Sequence, residues 1–253
     1  MNRNEPVTQT VILAAGTGTR LADARGDVPK PLMTVAGVPL IRHALDHAHA
    51  AGCLEAVIVV GYEGTRVRAA IEALGHPLRI AFASTPDPTL PNGVSLLASE
   101  PLTHRRFFLQ MVDHLFVEPT LQRLTATPFA AHEGGRVLVD RAPASHLDLD
   151  DATKVQVESD LVTAIGKGLD RWDAIDAGCF VLTHEVYRAL RRVGNDGARS
   201  VSSGMRELVG CGALNAIDTG GVEWMDVDTP ADRQAAERLL AAAAARRGET
   251  VGA

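Results

Sequence analysis

The run Val7-Thr8-Gln9-Thr10-Val11-Ile12-Leu13-Ala14-Ala15, stopped abruptly by Gly16, constrains this chain more than any other segment. It ends in five successive apolar residues, the pattern of a strand buried on both faces of a helix-covered parallel sheet. After a Gly- and Pro-rich loop to about Pro39, Leu40, Ile41, Ala44, Leu45 and Ala48 recur at helical spacing until Gly52 stops them. Ala56 to Val60 predicts a second strand, Val67, Ala70, Ile71 and Leu74 a second helix closed by Gly75, and Leu78 to Ala83 a third strand. Such units cross over right-handedly and bind ligands at the carboxyl ends of their strands, where Gly16 stands.

Farther along, a turn at Pro86-Asp87-Pro88 and a short helix from Gly93 to Ser99 precede a buried strand, Phe107 to Val112, that stops at Asp113-His114. From Arg136 the pattern becomes β-rich: Val137-Leu138-Val139, Lys154 to Glu158 and Leu161 to Ile165 read as strands, with Ser159-Asp160 as a hairpin turn. Ala174 to Leu182 predicts another strand, Thr183 a cap for a helix carrying Val186, Tyr187, Leu190 and Val193, and Ser200 to Val209 a further helix. Gly221 to Val227 reads as the last strand. Thr229, Pro230 and Asp232 then fall at the cap, first and third positions of a helix to about Arg246. With no internal repeat and no long polar linker, the expectation is a single α/β domain over 1–253: a Rossmann-like, doubly wound mixed sheet with a β-rich insertion on its acceptor side.

Composition excludes several functions. Lys plus Arg number 25 against 31 Asp plus Glu, a formal charge of −6, and aromatics make up 4%, so neither a phosphate-binding field nor a base-stacking platform exists for a nucleic acid partner. No apolar run reaches the ~18 residues of a membrane span, and Met1 to Pro6 leads straight into strand rather than a signal peptide. Three scattered cysteines, Cys53, Cys179 and Cys211, suit neither a disulfide framework nor a zinc cluster, and point to a reducing cytoplasm.

The chemistry-bearing segment is Leu13-Ala14-Ala15-Gly16-Thr17-Gly18-Thr19-Arg20-Leu21, followed by Pro29-Lys30-Pro31-Leu32. Small residues let backbone N–H groups approach a phosphate chain, and Arg20 and Lys30 can neutralise it. The segment is no Walker loop, since no Gly-Lys-Ser or Gly-Lys-Thr follows, and it lacks the third glycine of the dinucleotide fingerprint. A nicotinamide-dependent oxidoreductase would also need an acid closing the second strand, where only a poorly placed Glu63 is available.

These motifs resemble the signature of the sugar-nucleotide pyrophosphorylase type of nucleotidyltransferase. A narrower likeness, to inositol-1-phosphate cytidylyltransferases, runs from about Val11 to Leu240 through Pro91-Asn92-Gly93-Val94-Ser95-Leu96-Leu97, Met111-Val112-Asp113-His114, Asp151-Ala152-Thr153-Lys154, Ile165-Gly166-Lys167, Asp176-Ala177-Gly178-Cys179-Phe180 and Trp224-Met225-Asp226-Val227-Asp228-Thr229. The resemblance implies a nucleotide-binding half, about 7–134, and an acceptor-binding half, about 135–240. It implies that Leu13, Ala14, Ala15, Gly16, Thr17, Gly18, Thr19 and Arg20 hold base, ribose and triphosphate, that Lys30 meets the phosphates, and that Asn92, Gly93 and Ser95 line the base pocket. It gives Asp113 and Asp226 to Mg²⁺, Lys167 to the acceptor phosphate, and Asp176 and Gly178 to the acceptor pocket. Asp228 stands where general pyrophosphorylases have glycine; backing the metal acids and sharing the metal both stay open.

The reaction so implied joins a nucleoside triphosphate, CTP first, to a small phosphorylated alcohol, inositol 1-phosphate first, and releases pyrophosphate. Transfer from GTP, ATP or UTP, to another cyclitol phosphate, a sugar 1-phosphate, phosphocholine or a phosphonate, is the alternative, and an inactive nucleotide-binding regulatory module is the alternative from another class. The membrane-embedded phosphotransferase often fused in the subfamily has no counterpart among these segments, so any second step falls to a separate protein. Oligomeric state is not legible.

Other polar residues have plainer expectations. His43 and His47 are placed on a solvated helix face, the Asp148, Asp150 and Asp151 cluster in a solvated loop, and Cys53 and Cys179 in packing. Asp140 and Arg141 are set at the border of the acceptor's hydroxyls, Trp172 and Trp224 in core or wall. His114 has two readings, substrate contact or a structural hydrogen bond beside Asp113.

Overall fold

The computed structural model describes residues 5–17, 28–144 and 147–248. In chain order its elements are β1 (Gln9–Ala14), β2 (Thr34–Val35), β3 (Val38–Pro39), α1 (Leu40–Ala50), β4 (Glu55–Val60), α2 (Gly64–Ala73), β5 (Arg79–Ser84), α3 (Asn92–Ala98), β6 (Arg106–Met111) and β7 (His114–Phe116). The second half adds β8 (Gly135–Asp140), β9 (Lys154–Glu158), β10 (Leu161–Gly166), β11 (Ala174–Thr183), α4 (Glu185–Arg192), α5 (Val201–Gly210), β12 (Leu214–Asp218), β13 (Trp224–Asp226) and α6 (Pro230–Arg247).

β1 is buried throughout and pairs in parallel with β4 and β6. Its side chains alternate between two cores: Ile12 and Ala14 join α1 and α2 on one face, Val11 and Leu13 join α4 and α5 on the other. This two-sided burial is why the strand carries no polar residue after Thr10. The main sheet runs β5-β4-β1-β6-β11-β8-β12-β10-β9. β5, β4, β1 and β6 are parallel, β11 reverses direction, and β9 pairs with both β10 and β11, so β11, β8, β12, β10 and β9 close into a ring. The expected mixed, doubly wound sheet is thus present. Among the described residues no helix is long and apolar enough to cross a membrane.

Several strands differ from the sequence reading: β2 and β3 form a small hairpin inside the expected loop, β7 follows directly on the expected end of β6, and two further differences concern β12 and β13. β12 was not anticipated, because Leu214-Asn215-Ala216-Ile217-Asp218 is short and alanine-diluted; pairing with β8, a contact distant in sequence, creates it. The last strand is Trp224–Asp226 alone, preceded by Gly220 and Gly221 at positive φ, and pairs with β7 outside the main sheet. The cap of α6 is as read: Thr229 and Asp232 form a capping box, with Pro230 in the first turn.

His47 corrects the solvated-face expectation. Thr120 N donates to its Nε2 at 3.0 Å, which leaves Nδ1 to donate to Gln110 Oε1 at 2.9 Å, while Phe116 stacks on the ring at 4.9 Å. His43 likewise faces inward, bonding Val35 O. Burial lowers His47 to about 4, whereas unfolded it titrates near its usual value. A depressed histidine contributes stability above its unfolded pKa and loses it as pH falls through the folded one. Wild type should therefore lose about 2 kcal/mol more than His47→Gln between pH 7 and pH 4, allowing for partial solvent contact. Parallel urea-unfolding stabilities of the two proteins across that range would contradict this.

Candidate active site

The tips of β1 and β6 are tied together, with Val112 N donating to Leu13 O at 3.3 Å. This places Asp113, just past β6, beside the glycine loop. Tyr62 N binds Ala15 O, and Gly61 lies so close beneath that a Cβ there would be 2.7 Å from the same oxygen. Only glycine allows that approach. Leu13, Ala14, Ala15, Gly16 and Thr17 thereby form one wall of a cleft of 350 Å³, opposite Asn92 and Ser95, with Lys30 and Asp113 in the same lining. Gly18, Thr19 and Arg20 lie outside the described residues.

Lys30 sits in a short 3-10 turn, Lys30–Leu32, with Pro29 before it and Pro31 inside it. Its Nζ is 2.5 Å from both Asp113 Oδ2 and Asp228 Oδ1. Burial opposes the ammonium's charge, but the two carboxylates outweigh it and raise its pKa. Burial would also raise Asp113; Lys30 and a hydrogen bond from His114 reverse this and hold its carboxyl well below the usual range.

His114 makes the hydrogen bond expected beside Asp113, and it also lines the cavity that holds Asp176 and Asp226. Nδ1 donates to Asp113 Oδ1 at 2.9 Å, and the ring stacks on Trp224 with centroids 5.6 Å apart. Gly178, at φ 71°, leaves room for that ring: a Cβ there would be 2.2 Å from His114 Cδ2. Burial pulls His114 down, yet Asp113, Asp226 and Asp176 lift it above its ordinary value.

Pairing of β7 with β13 sets Asp226 opposite His114, and Val227 N donates to Asp113 O at 3.0 Å, so two acids far apart in sequence meet. Burial raises Asp226, with His114 opposing and Asp228 and Asp113 adding to the rise. Burial pushes Asp176 up to about 6, although it accepts the Gly178 N–H.

A second cavity of 610 Å³ adjoins the cleft, and Asn92, Met111, Asp113 and Asp228 line both. Asp226, Lys167, Asp176 and Gly178 line the second. The structure thus gathers the described site residues, with one difference. Gly93 lines neither cavity but packs α3 on the entry to α5, where a Cβ would be 2.4 Å from Arg199 O.

Further corrections concern the acids and their neighbours. Asp151 is no bystander in a solvated loop: it pairs with Lys167 and lines the second cavity. Asp140 and Arg141 do not border that cavity. Asp140 accepts from Trp224 Nε1 at 3.0 Å, bracing the wall that Trp224 forms, and Arg141 faces Asp218. Sequence reasoning also missed Ser202 and Arg206 of α5, which line the cavity. A mid-helix Ser-x-x-x-Arg carries no local signal of a ligand.

The chain is similar to known proteins over most of its length. The profile of the MobA-like NTP transferase domain matches residues 10–202. The "Bifunctional IPC transferase and DIPP synthase" of Rubrobacter xylanophilus is 35% identical over 232 residues, 90% of this chain and 51% of that protein. Its namesake from Thermococcus kodakarensis is 31% identical over 233 residues, 92% of this chain and 50% of that protein. The chain therefore spans about half the length of these curated relatives. Among solved structures, the inositol-1-phosphate CTP transferase from T. maritima superposes with a TM-score of 0.84 at 25% identity, covering 98% of this chain and 99% of that one.

Proposed function

Because the chain belongs to the MobA-like NTP transferase family, we propose that it transfers a cytidylyl group from CTP to inositol 1-phosphate and releases pyrophosphate. The observation that carries this reading is the junction of the two cavities at Asp113 and Asp228, with Lys30 on the glycine-loop side and Lys167 on the other. In-line transfer needs two anionic substrates brought end to end, and this arrangement offers each a cation and both a shared acidic floor.

A phosphate monoester has a second pKa of about 6, so at neutral pH the acceptor is already a nucleophile and needs no general base. One of its oxygens bonds to the α-phosphorus, the bond from that phosphorus to the bridging oxygen breaks, and the electron pair leaves with pyrophosphate. Backbone N–H groups of the loop from Gly16 orient the triphosphate, and Arg20 and Lys30 neutralise it.

Asp113 and Asp226 are the side chains that would hold Mg²⁺. They offer hard oxygen donors, and the carboxylates crowding Asp226 form a charge excess that a cation relieves. Among the described residues no group of three or more potential protein ligands converges, so the reading rests on these two carboxylates. When bound, Mg²⁺ spreads the charge developing on the phosphates. Both oxygens of Asp113 are engaged, by Lys30 and His114, so Lys30 is the group that must yield and turn to the phosphates.

The test is pyrophosphate release with each of the four ribonucleotides against phosphorylated cyclitols, sugars, choline and a phosphonate. CTP with inositol 1-phosphate should give the highest kcat/KM, and chelation of Mg²⁺ should abolish turnover. Lys167→Ala should raise the acceptor KM about tenfold, and Lys30→Ala should instead raise the KM for CTP. Turnover that survives chelation, or the opposite assignment of the two lysines, overturns the reading.

A further inference from the structure

We propose that Arg206 of α5 is a second cation for the acceptor's phosphate, closing with Lys167 into a two-sided clamp; this rests on the reading of the larger cavity as the acceptor site. Lys167 follows β10 directly, and the Arg206 guanidinium approaches the backbone one residue before it: Nη1 lies 3.8 Å from where a Cβ on Gly166 would be. Arg206 therefore passes over the one position before Lys167 that has no side chain. Both residues line the cavity, as does Ser202, four residues before Arg206 and on the same face of the helix.

What distinguishes Arg206 is that it has no partner among the described residues. Lys30 is held by Asp113 and Asp228, and Lys167 is paired with Asp151. Arg206 makes no hydrogen bond or ion pair among the described residues, although the cavity it faces also contains Asp148, Asp176 and Asp226. A guanidinium that lines the same cavity as a lysine, and has no ion-pair partner among the described residues, has the charge and fork geometry to take a phosphate group through two parallel hydrogen bonds. Lys167, a point charge shared with Asp151, cannot supply that geometry alone. The two cations come from different elements, so the clamp fixes the direction of the phosphate as well as its charge.

Two measurements on the full chain test this. In the pyrophosphate-release assay, Arg206→Ala should raise the KM for inositol 1-phosphate at least twentyfold and leave the KM for CTP within twofold, with Arg206→Lys recovering part of the loss. In calorimetry without nucleotide, inorganic phosphate should bind Arg206→Ala about tenfold more weakly than wild type. Gly166→Val, which crowds the guanidinium without changing charge, should weaken phosphate in the same direction. An acceptor KM unchanged in Arg206→Ala while Lys167→Ala raises it overturns the clamp and leaves the proposed reaction standing. Parallel increases in both KM values also overturn it, since Arg206 would then act only through the placement of α5. If wild type turns over no phosphorylated acceptor with any nucleotide, the reaction fails and the phosphate titration alone decides: a tenfold difference keeps the clamp, an equal affinity removes it.

Discussion

Asp113→Asn is expected to lower kcat for cytidylyl transfer about a thousandfold while the protein stays folded. The carboxylate stands where the two cavities meet, and its neighbours hold it anionic far below neutral pH, so its charge is fixed across the working range. Asparagine keeps the shape and can still accept the hydrogen bond from His114, but it removes the negative charge that, on the proposed mechanism, would hold a divalent ion. Loss of one group that stabilises developing charge in a closed site costs about 3–4 kcal/mol of barrier, a factor of a hundred to a thousand. On the proposed mechanism this acid would also set the position of Mg²⁺, which places the expectation at the upper end.

The pH dependence separates this loss from general damage. A carboxyl whose folded pKa is depressed contributes stability above its unfolded value and loses it as pH falls through the folded one. Wild type and Asp113→Asn should therefore differ in stability near neutral pH and converge in strong acid, while the difference in activity persists at every pH where both are folded. The variant should also need more Mg²⁺ for half-maximal rate. Turnover within tenfold of wild type at saturating Mg²⁺, with circular dichroism unchanged, would remove Asp113 from the mechanism.

How much of this was legible beforehand follows from how local each signal is. The strand ending at Gly16, the capping box of Thr229 and Asp232, and the hairpin at Ser159 are settled by neighbouring residues, and all three stand where the sequence puts them. Lys30 and Asp113 were legible as chemistry because each sits inside a motif. Their mutual ion pair was not, since it depends on β6 docking beside β1 and on Asp228 arriving from the far end of the chain. His47 shows the same limit: its position on α1 suggests solvent, and only the segment carrying Phe116 and Thr120 covers it. β12 depends in the same way on pairing with β8, and Arg206 meets the end of β10 only because α5 packs there, while the Asp151–Lys167 pair closes the open end of the β9–β10 hairpin. Long-range pairing, rather than propensity, decides these, and no window of local sequence contains it.

Arg136→Met should destabilise the fold by about 3–5 kcal/mol, the largest stability loss expected from any single substitution considered, because it strips the partner from a buried acid. Arg136 of β8 is 3% exposed and Glu133 is 6% exposed. The guanidinium bonds both Glu133 oxygens, at 2.5 Å and 3.1 Å, and also donates to Leu124 O, Thr127 O and Pro128 O at 2.8–2.9 Å, with Phe129 beneath it at 4.1 Å. Methionine fills much of the volume but leaves three carbonyls without this donor and the carboxylate without its cation; among the described residues only Ala130 N and Asn215 Nδ2 still serve Glu133. For a chain of this size such a loss corresponds to a fall in Tm of about 10 °C or more. The pair need not be worth that much in itself. Removing Glu133 as well, in Arg136→Met with Glu133→Leu, eliminates the stranded charge, so the double variant should recover at least ~2 kcal/mol over the single one. Neither residue lines the two cavities, and the KM for CTP should stay within twofold in whatever fraction remains folded. A single variant that loses less than ~1 kcal/mol in urea unfolding would show that β8 tolerates an unpaired Glu133 by admitting water, and that this knot does not secure the acceptor half.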